Sequence, residues 1–128
     1  MDKPLRDRPV VPDGYGRPET DEGILEWSAV AERLRSSLHY WLATTRPDGR
    51  PHVVPRWGVW LEDRFWYDGS PETRHVQNLN NESSCVLHLE DGRQAVIVEG
   101  RSTAAGPPGL EFGGRLSAAM SGKYAEHG

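Results

Sequence analysis

The chain has 128 residues, a formal net charge of −4 and a hydrophobic fraction of 36%. That is one domain with a modest core, and the acidic balance argues against a nucleic-acid surface, which needs a local positive excess. The single cysteine, Cys85, excludes an intramolecular disulfide; within the apolar run SCVLHL it reads as a small buried hydrophobe rather than a reactive thiol.

Residues 1–22 are charged and rich in proline and glycine, so they bury too little apolar area to offset their ordering entropy. They read as a flexible arm, with residues 23–128 as the folded domain. Val10, Val11 and Tyr15 are available for packing on a partner. The N-terminus lacks the apolar core of a signal peptide. No apolar run approaches the ~20 residues of a membrane-spanning helix. The expected location is the cytoplasm, with neither a membrane nor a nucleic acid as partner.

Ile24–Ser37 has apolar residues at Ile24, Trp27, Val30, Ala31 and Leu34, the spacing of an amphipathic helix, with Thr20 or Asp21 as its cap. Leu38–Thr45 reads as a strand occupied on both faces. The turn RPDGR leads to a second strand, His52–Leu61, in which Val53, Pro55, Trp57, Val59 and Leu61 alternate with His52, Val54, Arg56, Gly58 and Trp60. Pro55 cannot donate to a ladder and Gly58 admits a close approach, so this is either a plain edge strand or a place where the sheet parts.

Arg64–Asp68 is a short third strand. Pro71–Asn80 reads as a helix capped by Ser70. Ser83–Glu90 and Gln94–Arg101 form a second hairpin across Asp91-Gly92, and Leu110–Tyr124 is helical despite three glycines. Five strands with tight turns and helices outside them predict an α+β domain, a small antiparallel barrel with flanking helices.

No nucleophile with an obvious base, phosphate-cradling loop or dinucleotide fingerprint occurs, and His39, His52, His75, His88 and His127 lack metal-ligand spacing. Chemistry would therefore come from a bound cofactor. Four of the five tryptophans, Trp41, Trp57, Trp60 and Trp66, fall between residues 38 and 99. The local signal nearest to a site is SPETRHVQN. Ser70, Thr73, Arg74 and His75 at a helix start could bind an anion, but taken alone Ser70 reads rather as a cap and Arg74 as a solvated charge.

The order of three segments, LATTRPDGRPHVVPRWGVWLEDRFWYDG, SPETRHVQNLNNESSCVLHLE and AVIVEG, resembles the pyridoxamine 5′-phosphate oxidase-like family. The resemblance covers about Trp27 to Thr103. It implies a split β-barrel binding FMN or the deazaflavin F420, and a homodimer with cofactor sites at the subunit interface. Carried over by position, Val54, Pro55, Arg56, Trp57 and Gly58 would lie along the ring and its side chain, with Trp57 near the ring. Tyr67, Asp68, Ser70, Thr73, Arg74 and His75 would lie toward the phosphate. His75 stands at the family's lysine position and Gln77 where a further basic residue is usual, which implies a weaker phosphate grip or another ligand. The family's last barrel strand has no counterpart before Gly128. The implied function is an F420- or FMN-dependent oxidoreductase passing hydride to a small organic acceptor. The alternative is a non-catalytic module holding a flavin, F420 or haem, with His52 or His75 as the haem ligand.

Overall fold

The computed structural model describes residues 26–104 and 109–125. The expected arm, the helix cap at Thr20 or Asp21 and His127 lie outside the described residues. In order, the elements are α1 (Trp27–Ser36), β1 (Tyr40–Thr45), β2 (Pro51–Arg56), β3 (Val59–Leu61), β4 (Arg64–Trp66), α2 (Arg74–Asn81), β5 (Ser84–His88), β6 (Ile97–Arg101) and α3 (Leu110–Tyr124). One antiparallel sheet has the order β2-β1-β5-β6, and β3 and β4 form a second. This is the α+β split barrel with flanking helices that the sequence predicts.

The β1–β2 hairpin closes as its turn chemistry requires. Gly49 takes φ +89°, a left-handed conformation that glycine adopts without a Cβ penalty, and Gly49 N–H donates to the Arg46 carbonyl at 2.8 Å. Register then fixes the faces, because directly paired residues point the same way. Tyr40 pairs with Arg56, Leu42 with Val54 and Thr44 with His52. Tyr40, Leu42 and Thr44 are buried, so His52, Val54 and Arg56 share their inner face.

The core under that face is Leu34, Tyr40, Leu42, Trp60, Leu79, Leu87, Leu89 and Val96. The first helix supplies Ala31 and Leu34, and α2 supplies His75, Asn78 and Leu79, the i, i+3, i+4 spacing of one helix face. Asn78 is fully buried and donates through Nδ2 to Thr44 Oγ1 at 3.0 Å, tying α2 to β1. Cys85 sits half-buried at the core margin, where burial pushes its thiol pKa up.

Three expectations are corrected. The predicted strand His52–Leu61 is two strands, because the chain leaves the first sheet after Arg56 and resumes at Val59 in the second. Both earlier readings hold in part: β2 is an edge strand, which tolerates Pro51 and Pro55, and the sheet parts just beyond it. The predicted helix Pro71–Asn80 begins instead at Arg74. Thr73 N–H and Thr73 Oγ1 both bond to the Ser70 carbonyl, at 3.0 and 2.7 Å, so Ser70–Thr73 is a turn and Thr73 is the N-cap. In the second hairpin, β6 starts at Ile97 rather than Gln94. Asp91 Oδ1 accepts from Arg93 N–H at 2.8 Å, and Arg33 holds the Gln94 carbonyl, so those residues serve a longer loop.

Gly58 is where the break is enforced. A Cβ there would lie 2.3 Å from Phe65 Cε1 and 2.7 Å from the Trp66 carbonyl oxygen. The close approach is thus by the protein's own β4. Gly58→Ala is expected to cost about 1–3 kcal/mol of stability, the usual range for overpacking, measured by urea denaturation. An unchanged midpoint would mean that β4 does not pack there.

Candidate functional site

The predicted site residues fall into two clusters on either side of the Trp57–Gly58 break. The first surrounds Tyr67. Arg56, at the end of β2, donates through Nη2 to the Asp68 carbonyl and lies 6.0 Å from the centre of the Tyr67 ring. That ring is 6.1 Å from the His75 ring, and the Tyr67 hydroxyl meets Ser102 Oγ at 2.8 Å. His75 is 4% exposed, and its Nε2 has no hydrogen-bond partner. Gly69 lies against it, so that a Cβ there would come within 3.3 Å of Nε2.

Burial, then the charges of Arg56 and His52, hold the His75 imidazole below its usual pKa. Both effects favour the neutral imidazole. Two further buried nitrogens are unpartnered on the same side of the sheet: Arg56 Nε and His52 Nδ1. Buried polar atoms are nearly always bonded, so three unpaired nitrogens around one seam are unusual. Arg74 projects the other way and is exposed, with no carboxylate partner among the described residues. Ser70 and Asp68 are also exposed, and Thr73 is half-buried. The run Thr73-Arg74-His75 therefore splits, with its imidazole inside and its guanidinium outside.

The second cluster fills the break. Tyr124, 4% exposed, stacks on Trp57 with centroids 4.5 Å apart and planes 8° from parallel. Its hydroxyl accepts from Gly58 N–H at 3.0 Å and faces the carbonyls of Leu38 and Gly58 at 2.6 and 2.9 Å. Lys123 Nζ donates to the Gly58 carbonyl at 3.1 Å and to the Tyr40 hydroxyl, and lies 4.5 Å over the Tyr40 ring. Trp57 remains 36% exposed. Val54 lies on the inner face below Arg56, and Pro55 faces outward beside Trp41.

Desolvation lowers the Lys123 pKa from 10.5 to about 8. A depressed amine pKa means that the unfolded chain binds more protons between those values, so this group's contribution to stability rises with pH across that window. Above pH 10 the buried Tyr40 phenol, whose pKa burial raises, acts in the opposite sense. Thermal stability is therefore expected to climb modestly from about pH 8 to about pH 10, and Lys123→Met should flatten the rise. A rise unaffected by that substitution would exclude Lys123 as its source.

Sequence reasoning named His52 only as an alternative haem ligand and not among the residues along FMN or F420, although its alternation with Val54 and Arg56 contains the signal. It missed Ser102, Lys123 and Tyr124, whose roles depend on where distant segments return. Among the described residues, no group of three or more histidine, cysteine, aspartate or glutamate side chains could hold a metal ion.

A family model for pyridoxamine 5′-phosphate oxidase matches residues 27–127. A conserved hypothetical protein from Mycobacterium tuberculosis superimposes with a TM-score of 0.68 at 25% identity, over 78% of this chain. This chain spans only 64% of that protein's length. An F420 reductase matches with TM-score 0.56 and 21% identity, over 70% of this chain and 75% of its own. The heme storage protein HutZ from Vibrio cholerae matches with TM-score 0.59 and 18% identity, over 77% and 73%. Those last two likenesses are of fold alone. No curated protein matches the sequence.

Proposed function

Since the chain belongs to the pyridoxamine 5′-phosphate oxidase family, we propose that it binds F420 or FMN at the Arg56–Tyr67–His75 cluster and uses the cofactor for hydride transfer to a small organic acceptor. The observation that carries this reading is the set of buried, unpartnered nitrogens, Arg56 Nε and His75 Nε2, beside a tyrosine hydroxyl. Those donors suit the phosphate end of such a cofactor. Trp57, partly exposed across the strand break, offers a flat apolar surface to its ring. The bound ring would supply the hydride chemistry. Arg56 and His75 would hold the anionic end, Asp68, Ser70, Thr73 and Arg74 would border it, and Val54, Pro55 and Gly58 would set the path of the backbone beside it.

Two copies are proposed to pair through the outer sheet face, where Val53 is 50% and Ile97 57% exposed. A monomer in sedimentation at working concentration would refute that pairing. Among the described residues no helix is long and apolar enough to cross a membrane, and we place the protein in the cytoplasm. The second reading, a non-catalytic flavin, F420 or haem module, is favoured by the likeness to the heme storage protein HutZ and by the two unpartnered imidazole nitrogens.

Titration of the full chain with FMN, F420 and haem, followed by tryptophan fluorescence, tests both. Saturable quenching by FMN or F420, with oxidation of the reduced cofactor by an acceptor panel, supports the oxidoreductase. Binding of any of the three without turnover supports the module. No quenching by FMN or F420 removes the oxidoreductase reading.

A further inference from the structure

The structure assigns His52 as a third nitrogen of the anion site, and we propose that anion capture there is coupled to proton uptake at His75. This rests on the reading of the Arg56–Tyr67–His75 cluster as the phosphate end of a cofactor site.

Register supplies the first part of the argument. His52 and Arg56 occupy the inner face of β2, four residues apart, and α2 packs against that face through His75 and Asn78. His52 Nδ1, Arg56 Nε and His75 Nε2 are all buried and all unpartnered, and His75 is 4% exposed. Asn78 Oδ1, one turn further along α2, is unpartnered as well. The seam between α2 and the β1–β2 edge thus holds four buried polar atoms without a partner, where such atoms are normally satisfied.

Charge supplies the second part. The groups acting on His75 are Arg56 and His52 from β2, and both lower its pKa. Tyr67, whose phenol burial keeps protonated, has its ring 6.1 Å from His75, and beside Tyr67 stand Ser102 and Cys85, whose thiol burial keeps protonated. Asp68 turns its carbonyl to Arg56; Glu72 and Arg74 on the entry to α2 are exposed. Without a ligand, protonating His75 adds a positive charge beside the Arg56 guanidinium and the His52 imidazole, both of which oppose it. An anion between the three reverses that sign, since each added positive charge then gains a partner. Anion binding and protonation of His75 therefore reinforce one another, and affinity should rise as pH falls. A fixed ammonium at position 75 would hold the anion without that dependence.

The test is calorimetric titration of the full chain with FMN, with F420 and with sulfate alone, at about pH 5.5 and about pH 8. Sulfate keeps its charge throughout, so its pH dependence belongs to the protein. The expected result is binding roughly tenfold or more tighter at the lower pH, the equivalent of at least one unit of linked pKa shift, with proton uptake visible as a buffer-dependent heat. His75→Lys should bind at the higher pH about as tightly as the native chain does at the lower. His52→Gln should weaken all three ligands about fivefold to tenfold, a lost hydrogen bond, while keeping the pH slope. If His75→Lys does not fold, the slope and the buffer-dependent heat of the native chain still decide. Binding that is tight but independent of pH overturns the proton coupling and leaves the cofactor reading standing. An unchanged affinity in His52→Gln overturns its membership of the site. Absence of binding by all three ligands at both pH values overturns the cofactor reading together with this one.

Discussion

Replacing Tyr124 by alanine is expected to lower stability by about 3–5 kcal/mol, the range for deleting a buried aromatic side chain. The ring is the last buried group of α3 and lies flat on Trp57. Its hydroxyl also satisfies the buried Gly58 N–H, which would be left without a partner; an orphaned buried donor costs about 1–3 kcal/mol. The two losses overlap, so they are not summed. Tyr124→Phe keeps the ring and loses only the hydroxyl, with an expected loss of about 1–2 kcal/mol. Urea denaturation measures both, and Trp57 emission should shift in the alanine variant as its stacking partner disappears. A loss below about 1 kcal/mol for Tyr124→Ala would mean that α3 is not docked over the strand break. Against a total stability of about 5–15 kcal/mol, this one side chain decides whether the second cluster exists.

The element types were readable because their signals are local. The RPDGR turn specifies its hairpin through a proline and a left-handed Gly49. The α3 limits, Leu110–Tyr124, follow from the sequence as observed, despite its glycines. What failed also has local causes. Ser70 carries good capping chemistry, yet its carbonyl takes Thr73 instead, and the helix waits three residues. The run from His52 to Leu61 alternates without interruption, so periodicity alone cannot reveal that it changes sheets. The cause is non-local: Phe65 occupies the space beside Gly58, and Tyr124 supplies the hydrogen bonds that a continuing ladder would have made. The site shows the same division. Alternation puts His52 and Arg56 on one face, but only the fold brings His75 from α2 and Ser102 from beyond β6 to meet them at Tyr67.

Under the proposed function, the break also separates two jobs that a single strand would have combined. Arg56 is the last residue of the first sheet and Val59 the first of the second. Between them the chain turns Trp57 outward and leaves Arg56 facing in. A guanidinium and an indole thus stand side by side while pointing to different surroundings; under the proposed function the first would serve an anion and the second a flat ring. Neither position tolerates a shift along the strand, since moving the register by one residue exchanges the two faces.

For that reason Arg56→Ala is expected to weaken binding of FMN or F420 by about 2–5 kcal/mol, the range for truncating one member of a buried charge pair. In affinity that is roughly 30-fold to several thousand-fold. Stability should change far less, because Arg56 is only half-buried and, among the described residues, its one hydrogen bond is to the Asp68 carbonyl. Arg56→Lys keeps the charge but loses the planar fork of donors, so it should fall between the native chain and Arg56→Ala. Arg74→Ala supplies the contrast. Arg74 is exposed, and removal of a solvated charge costs about 1 kcal/mol or less. Fluorescence titration of the four proteins with the same cofactor gives the ranking. If Arg74→Ala lost more affinity than Arg56→Ala, the anion would lie on the outer side of α2, and the inner cluster around Tyr67 would be a structural seam. Arg56→Ala binding as tightly as the native chain would remove the inner site altogether.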